Sequence, residues 1–248
     1  MSIQSGFPRF LVFAALVVTM AASVRVGASA TIGSAASLPL TSAALTPYRT
    51  CILSATPTTT TVVTDTEVRQ GTGTTNYGTL TTMTITSSGT ANRRIYVRFD
   101  LSTCSPAIPA TATIRLATMR LWMTAQPAVC RTLDIFRATS AWAEATVTWN
   151  NQPFGTTLNN PPTASRTDSF DVGSPVGCEN RVTGAYVTGA IVTADVAAIV
   201  AGTATNNGWM IRDDVEGSAT ARTATFSTKN LGTITQIPQL IVTYVEVP

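Results

Sequence analysis

Histidine is absent from this 248-residue chain, and lysine occurs once, at Lys229, against fifteen arginines. Without histidine, neither a Ser-His-Asp nor a Cys-His nucleophile system can be assembled within the chain, and no imidazole can ligate zinc or haem. Charge is scarce too: only 12% of residues are Asp, Glu, Lys or Arg. The four cysteines include no C-x-x-C pair, so thiolate zinc motifs are missing. Threonine is what abounds, at 46 residues. A Thr-rich, weakly charged chain belongs to β structure whose surface is polar mainly through hydroxyls.

No apolar run is long enough to span a membrane comfortably, which takes about 18 residues. The longest, from Phe10 to Val24, has fifteen. Arg9 precedes it and Ala28-Ser29-Ala30 offers a small-x-small cleavage site, so residues 1–30 read as a secretory signal peptide. Cleavage after Ala30 removes Arg9 and Arg25 and leaves fourteen basic against thirteen acidic residues, a formal charge of +1. So balanced a chain gives no general electrostatic reason to bind nucleic acid. Neither a second apolar stretch nor a sorting signal follows, so the expected product is secreted, extracellular or at the cell surface, with no membrane span once the leader is removed.

Export makes two structural disulfides the expected fate of Cys51, Cys104, Cys130 and Cys178. Residues 114–123 read as one strand lying between Cys104 and Cys130. At about 3.3 Å per residue, a ten-residue strand holds its ends far beyond the roughly 7 Å Cα limit of a disulfide. That disfavours Cys104 with Cys130. Cys51 with Cys104 and Cys130 with Cys178 is preferred, and Cys51 with Cys130 and Cys104 with Cys178 stays open.

Residues 31–57 are Ala, Ser, Thr and Pro without periodicity, as expected of a linker or arm. Period-two patterns then recur. Ile95, Val97, Phe99 and Leu101 alternate with Tyr96, Arg98 and Asp100, while Met119, Leu121 and Met123 alternate with Arg120 and Trp122. Further strands are predicted at 81–86, 132–137, 146–149, 208–212, 223–228 and 239–247, and one short helix over 196–201 with Asp195 as its cap. Many short strands with one helical turn predict an all-β fold, a two-sheet sandwich, with residues 58–248 as one domain.

Several motifs in order resemble a known family. Asp65-Thr66-Glu67-Val68-Arg69, then Thr75-Asn76-Tyr77-Gly78, then Arg93-Arg94-Ile95-Tyr96-Val97-Arg98-Phe99-Asp100-Leu101 resemble the opening of DNRLRE domains, also classed as carbohydrate-binding module family 96. Trp142-Ala143-Glu144-Ala145-Thr146-Val147-Thr148-Trp149-Asn150-Asn151-Gln152-Pro153 resembles the signature of that family, and Asn207-Gly208-Trp209-Met210-Ile211-Arg212-Asp213-Asp214 continues in order. The family's Ser-Arg-Glu near the last strands reads Ser227, Thr228, Lys229, Asn230 here. The resemblance implies a jelly-roll-like β-sandwich on secreted and surface proteins, some of which bind acidic polysaccharide such as alginate.

If Ile95, Val97, Phe99, Met119, Leu121 and Met123 face the core, Tyr96, Arg98, Arg120 and Trp122 stand on the opposite face. On neighbouring strands these four would make one Arg-aromatic patch suited to uronic-acid sugars, provided no loop covers it. Trp142, Trp149 and Trp209 are expected in the core. Asp213, Asp214 and Glu216, with Asp65 and Glu67 elsewhere, are the carboxylates to weigh for two-carboxylate glycoside chemistry. The first three are also a candidate calcium site, since hard cations take oxygen ligands; no other cofactor is expected. Lys229 beside Asn230 holds the raw groups of an intramolecular amide cross-link, although with no geometry it reads as a surface charge. The expected function is therefore non-catalytic polysaccharide binding. The alternative is a structural surface, matrix or fibre subunit that self-associates through edge strands or its arm.

Overall fold

The computed structural model describes residues 47–56 and 60–246. The expected leader and most of the expected arm lie outside these residues. Twelve strands and one helix follow in chain order: β1 Tyr48–Ser54, β2 Val63–Arg69, β3 Thr82–Ser87, β4 Arg93–Phe99, β5 Thr113–Arg120, β6 Trp122–Ala125, β7 Arg131–Arg137, β8 Asp168–Val172, β9 Ala185–Tyr186, α1 Thr193–Val200, β10 Trp209–Asp213, β11 Arg222–Ser227 and β12 Gln239–Val245. They build a three-stranded sheet, β1-β12-β5, and a nine-stranded sheet, β8-β7-β10-β4-β3-β11-β6-β9, with β2 paired to β4. All the strand pairings are antiparallel. This is the predicted β-sandwich with one short helix.

Alternation builds the core between the sheets. Leu240, Val242 and Tyr244 of β12 point inward with Ala117 and Met119 of β5, and meet Ile95, Val97 and Phe99 of β4 and Trp209 and Ile211 of β10 in one cluster. Each fully buried aliphatic or aromatic side chain here contributes about 1.5–3 kcal/mol relative to exposure. The disulfides join Cys51 to Cys104 and Cys130 to Cys178, with Cα separations of 5.7 and 5.5 Å. The preferred pairing is the one formed.

Four expectations are corrected. Residues 114–123 are two strands: β5 pairs with β12 in the smaller sheet and β6 with β11 and β9 in the larger. The chain changes sheets at the buried Leu121, whose carbonyl accepts a hydrogen bond from the Val187 amide. Tyr48–Ser54, assigned by composition to the linker, is strand β1 in register with β12. Residues 146–149 form turns rather than a strand. The helix starts earlier, with Asp195 inside its first turn rather than at the cap. There Asp195 accepts from Thr167 Oγ1 at 2.7 Å and Trp209 Nε1 at 2.8 Å, which ties the helix to β10.

The larger sheet is covered on both faces. Val68, Tyr96, Phe136 and Met210 point away from the main core and meet Trp142, Val147 and Trp149 from the long connection after β7, forming a second, smaller core. Arg94 anchors this cover. Its Nε and Nη2 donate to the two oxygens of Glu216 at 2.8 Å each, and its other bonds reach Gln152 Oε1 and the Gly155 and Thr157 carbonyls. Arg212 does the same nearby, donating to the Pro161, Asp213 and Asp214 carbonyls. The signature tryptophan motif is thus a lid bolted to the sheet by buried arginines.

Candidate functional site

The four residues expected to form one patch are divided by that lid. Tyr96 is fully buried, which corrects its expected exposure: its hydroxyl donates to Gln152 Oε1 at 2.9 Å and its ring lies 5.4 Å from that of Trp142. Arg98, on the same face of β4, lies 5.5 Å over the Trp142 ring and bonds Thr64. It lines a polar cavity of about 310 Å³ with Thr61, Thr64, Asp100 and Asn206. Strand β4 has no pairing with β5 or β6, so this pair belongs to another region from Arg120 and Trp122.

Arg120 and Trp122 come together around a residue the sequence did not single out. The two-residue strand β9 pairs Tyr186 with Trp122. Their ring centroids are 5.1 Å apart and nearly perpendicular, and the Arg120 guanidinium sits 4.1 Å over the Tyr186 ring. Arg120 also donates to Gln239 Oε1 at 3.3 Å, and the Tyr186 hydroxyl donates to the Ile237 carbonyl at 3.1 Å. Burial pushes the Tyr186 hydroxyl above the ordinary tyrosine range, and Arg120 partly offsets this. All four side chains are partly exposed at the seam where the chain changes sheets. The cluster offers ring faces for stacking and a guanidinium for a carboxylate, each held by an existing contact.

The acids do not gather. Asp213 and Asp214 both pair with Arg131, at 2.6 Å for Asp213, while Glu216 is taken by Arg94. Among the described residues no group of three or more His, Cys, Asp or Glu is arranged to hold a metal. The calcium expectation thus meets carboxylates already occupied by arginine. Trp142, Trp149 and Trp209 are buried as expected, at 7, 3 and 0% exposure.

Asp65 differs from the other acids. It is fully buried, its Oδ2 accepts from the Lys229 backbone amide at 2.8 Å, and its Oδ1 has no hydrogen-bond partner. Burial, with Glu144 nearby, pushes it up to about 7 despite the Lys229 amide and charge. A folded-state value above the unfolded 3.8 means that the folded chain holds a proton already released by the unfolded one. Stability is then expected to fall as pH rises from about 4 to about 7, and burial pushes Asp134 and Asp214 in the same direction. Denaturant melts across that window test this. Asp65→Asn should flatten the decline, whereas an unchanged slope would remove Asp65 as its source.

No curated protein matches the chain. A family model described as carbohydrate-binding module family 96 matches residues 56–181, about half of the chain, from just after β1 through the lid and past β8. Tyr186 and Lys229 fall beyond the matched residues. With half of the chain matched, Trp142 and Trp149 included, the chain belongs to carbohydrate-binding module family 96.

Proposed function

We propose that this domain is a non-catalytic module, working outside the cell or at its surface, that holds acidic polysaccharide on the Arg120–Trp122–Tyr186 cluster. The observation that carries the reading is Arg120 lying over the Tyr186 ring beside the partly exposed Trp122. Sugar rings stack on aromatic faces, and a uronate carboxylate is a fitting partner for a guanidinium. The engagement of the candidate carboxylates by other groups supports binding over catalysis. Asp65, Glu67, Asp213 and Glu216 are all buried, and each accepts hydrogen bonds from backbone amides or arginines. Among the described residues no helix is long and apolar enough to cross a membrane.

Calorimetric titration with alginate and with a neutral glucan tests the site. Trp122→Ala should weaken both by about fivefold, the equivalent of an aromatic contact of roughly 1 kcal/mol. Arg120→Ala should weaken alginate selectively, and that loss should shrink in high salt because the contact is partly exposed. Melting temperatures recorded alongside separate lost binding from lost folding. Wild-type affinity for alginate in both folded variants would remove the cluster from the site.

A second reading, a structural subunit, rests on β1. Among the described residues it pairs on one side only, with β12, and shows Tyr48 and Ile52 at 68 and 62% exposure. An unpaired edge with exposed apolar side chains invites a neighbouring strand. Sedimentation of the mature chain decides this reading: a monomer at high concentration rejects it.

A further inference from the structure

The only lysine in the chain is not a surface charge. Its side chain is 13% exposed and that of Glu144 is 18% exposed, and Nζ is in direct contact with Glu144 Oε2. All the other ion pairs among the described residues use arginine. A chain that chooses arginine fifteen times out of sixteen places its single amine nucleophile against a sheltered carboxyl. An ion pair alone would be served at least as well by a guanidinium.

Both partners are held from several sides. The Lys229 amide donates to Asp65 Oδ2, Thr228 Oγ1 donates to the Leu80 carbonyl at 2.6 Å, and Asn230 Nδ2 donates to the Gly78 carbonyl at 3.0 Å. Glu144 is fixed by Asn76 Nδ2, which donates to its carbonyl at 2.7 Å, and by Gly78, where a Cβ would come within 2.8 Å of Glu144 Cγ. The absence of a side chain at Gly78 lets the two segments approach this closely. Asp65, which accepts from the Lys229 amide and feels the charges of both Glu144 and Lys229, is fully buried with its Oδ1 unpartnered.

We propose that Lys229 Nζ and Glu144 Cδ are joined by an intramolecular amide bond, formed by condensation within the folded chain, with Asp65 relaying the proton. Proton transfer inside the ion pair gives a neutral amine and a neutral carboxylic acid. The amine attacks Cδ, the new C–N bond forms, and one Cδ–O bond breaks. Asp65 takes the proton from nitrogen as it gives its own to the departing hydroxyl, which leaves as water. No oxidant, reductant or other reactant is required. Burial favours the neutral forms this needs: it raises Glu144 above the usual carboxylate range, and Asp65 at about 7 can both give and take a proton near neutrality. Holding amine and acid in contact supplies the proximity that free solution lacks.

The test is mass spectrometry of the wild-type chain after reduction and alkylation. Trypsin should fail to cut after Lys229 and should release peptide 138–166 joined to peptide 223–248, lighter than their sum by one water. Cleavage after Lys229 with two separate peptides of full mass would overturn the bond. Lys229→Arg, which keeps the ion pair, should give a folded chain with full-mass peptides. Glu144→Gln should still cross-link, but with loss of ammonia in place of water. Asp65→Asn should stay folded and largely uncross-linked; bond formation at the wild-type rate and pH dependence in that variant would take the proton relay away from Asp65.

Discussion

Glu216→Ala is expected to destabilise the domain by about 3–5 kcal/mol, because it strands a charge inside the protein. Arg94 and Glu216 both have fully buried side chains and bond through two parallel contacts of 2.8 Å. Removing the carboxylate leaves the guanidinium with carbonyl partners only, and it also frees the Asn159 amide, which donates to Glu216 Oε2 at 2.7 Å. Arg94 lies 4.7 Å over the Trp149 ring, so the lid loosens together with its anchor. The double variant Arg94→Met with Glu216→Leu should recover much of the loss, since a buried pair is often replaceable by apolar groups of similar volume. Chemical denaturation with disulfides intact measures both. A single variant within about 1 kcal/mol of wild type, below the cost of breaking a buried pair, would show that the guanidinium reaches water.

Trp149→Ala is expected to cost a similar amount, about 3–5 kcal/mol, through the cavity left by an indole that the lid wedges against the sheet. Trp149 is 3% exposed, in one cluster with Tyr96, Phe136 and Met210, and its carbonyl accepts from Gln152 Nε2, whose Oε1 in turn accepts from Tyr96. The cavity therefore opens beside a buried polar network as well as beside apolar side chains. Proteolysis should follow stability: residues 139–166 should become the first segment cut in the variant. A melting temperature unchanged within a degree or two would mean that the lid adds no stability to the sheet beneath it.

The sandwich was legible because alternation names faces. Ile95, Val97 and Phe99, and likewise Leu240, Val242 and Tyr244, turn inward as their spacing predicts. Alternation does not name neighbours. Met119, Leu121 and Met123 keep an unbroken period of two while the ladder beneath them passes from one sheet to the other, so nothing in 114–123 marked the break. Nor does it show whether the second face is wet. Tyr96 was placed on the correct side of β4, but the lid that buries it comes from residues whose turns carry no period. Strand β1 was hidden because Tyr48, Arg49 and Thr50 are all exposed and show no alternation. Tyr186 sits in a two-residue strand too short to show any pattern, so half of the aromatic pair at the proposed site carried no sequence signal. Lys229 was misread for another reason: burial of a lone charge depends on Glu144, 85 positions away.

The register of β1 against β12 has a mechanical consequence. Tyr48 lies opposite Val245, so the chain enters the first strand and leaves the last one side by side. Tension applied between those two points peels the strands apart one rung at a time, the weakest way to load a ladder of hydrogen bonds. Only the rungs at Tyr48, Arg49 and Thr50 open freely, because the next residue is Cys51, tied to Cys104 after β4. Force arriving there passes through sulfur into the connection after β4 and bypasses the rest of β1. Under oxidising conditions the module should yield a few residues of slack and then hold, whereas a reducing agent would let the whole edge strand strip away.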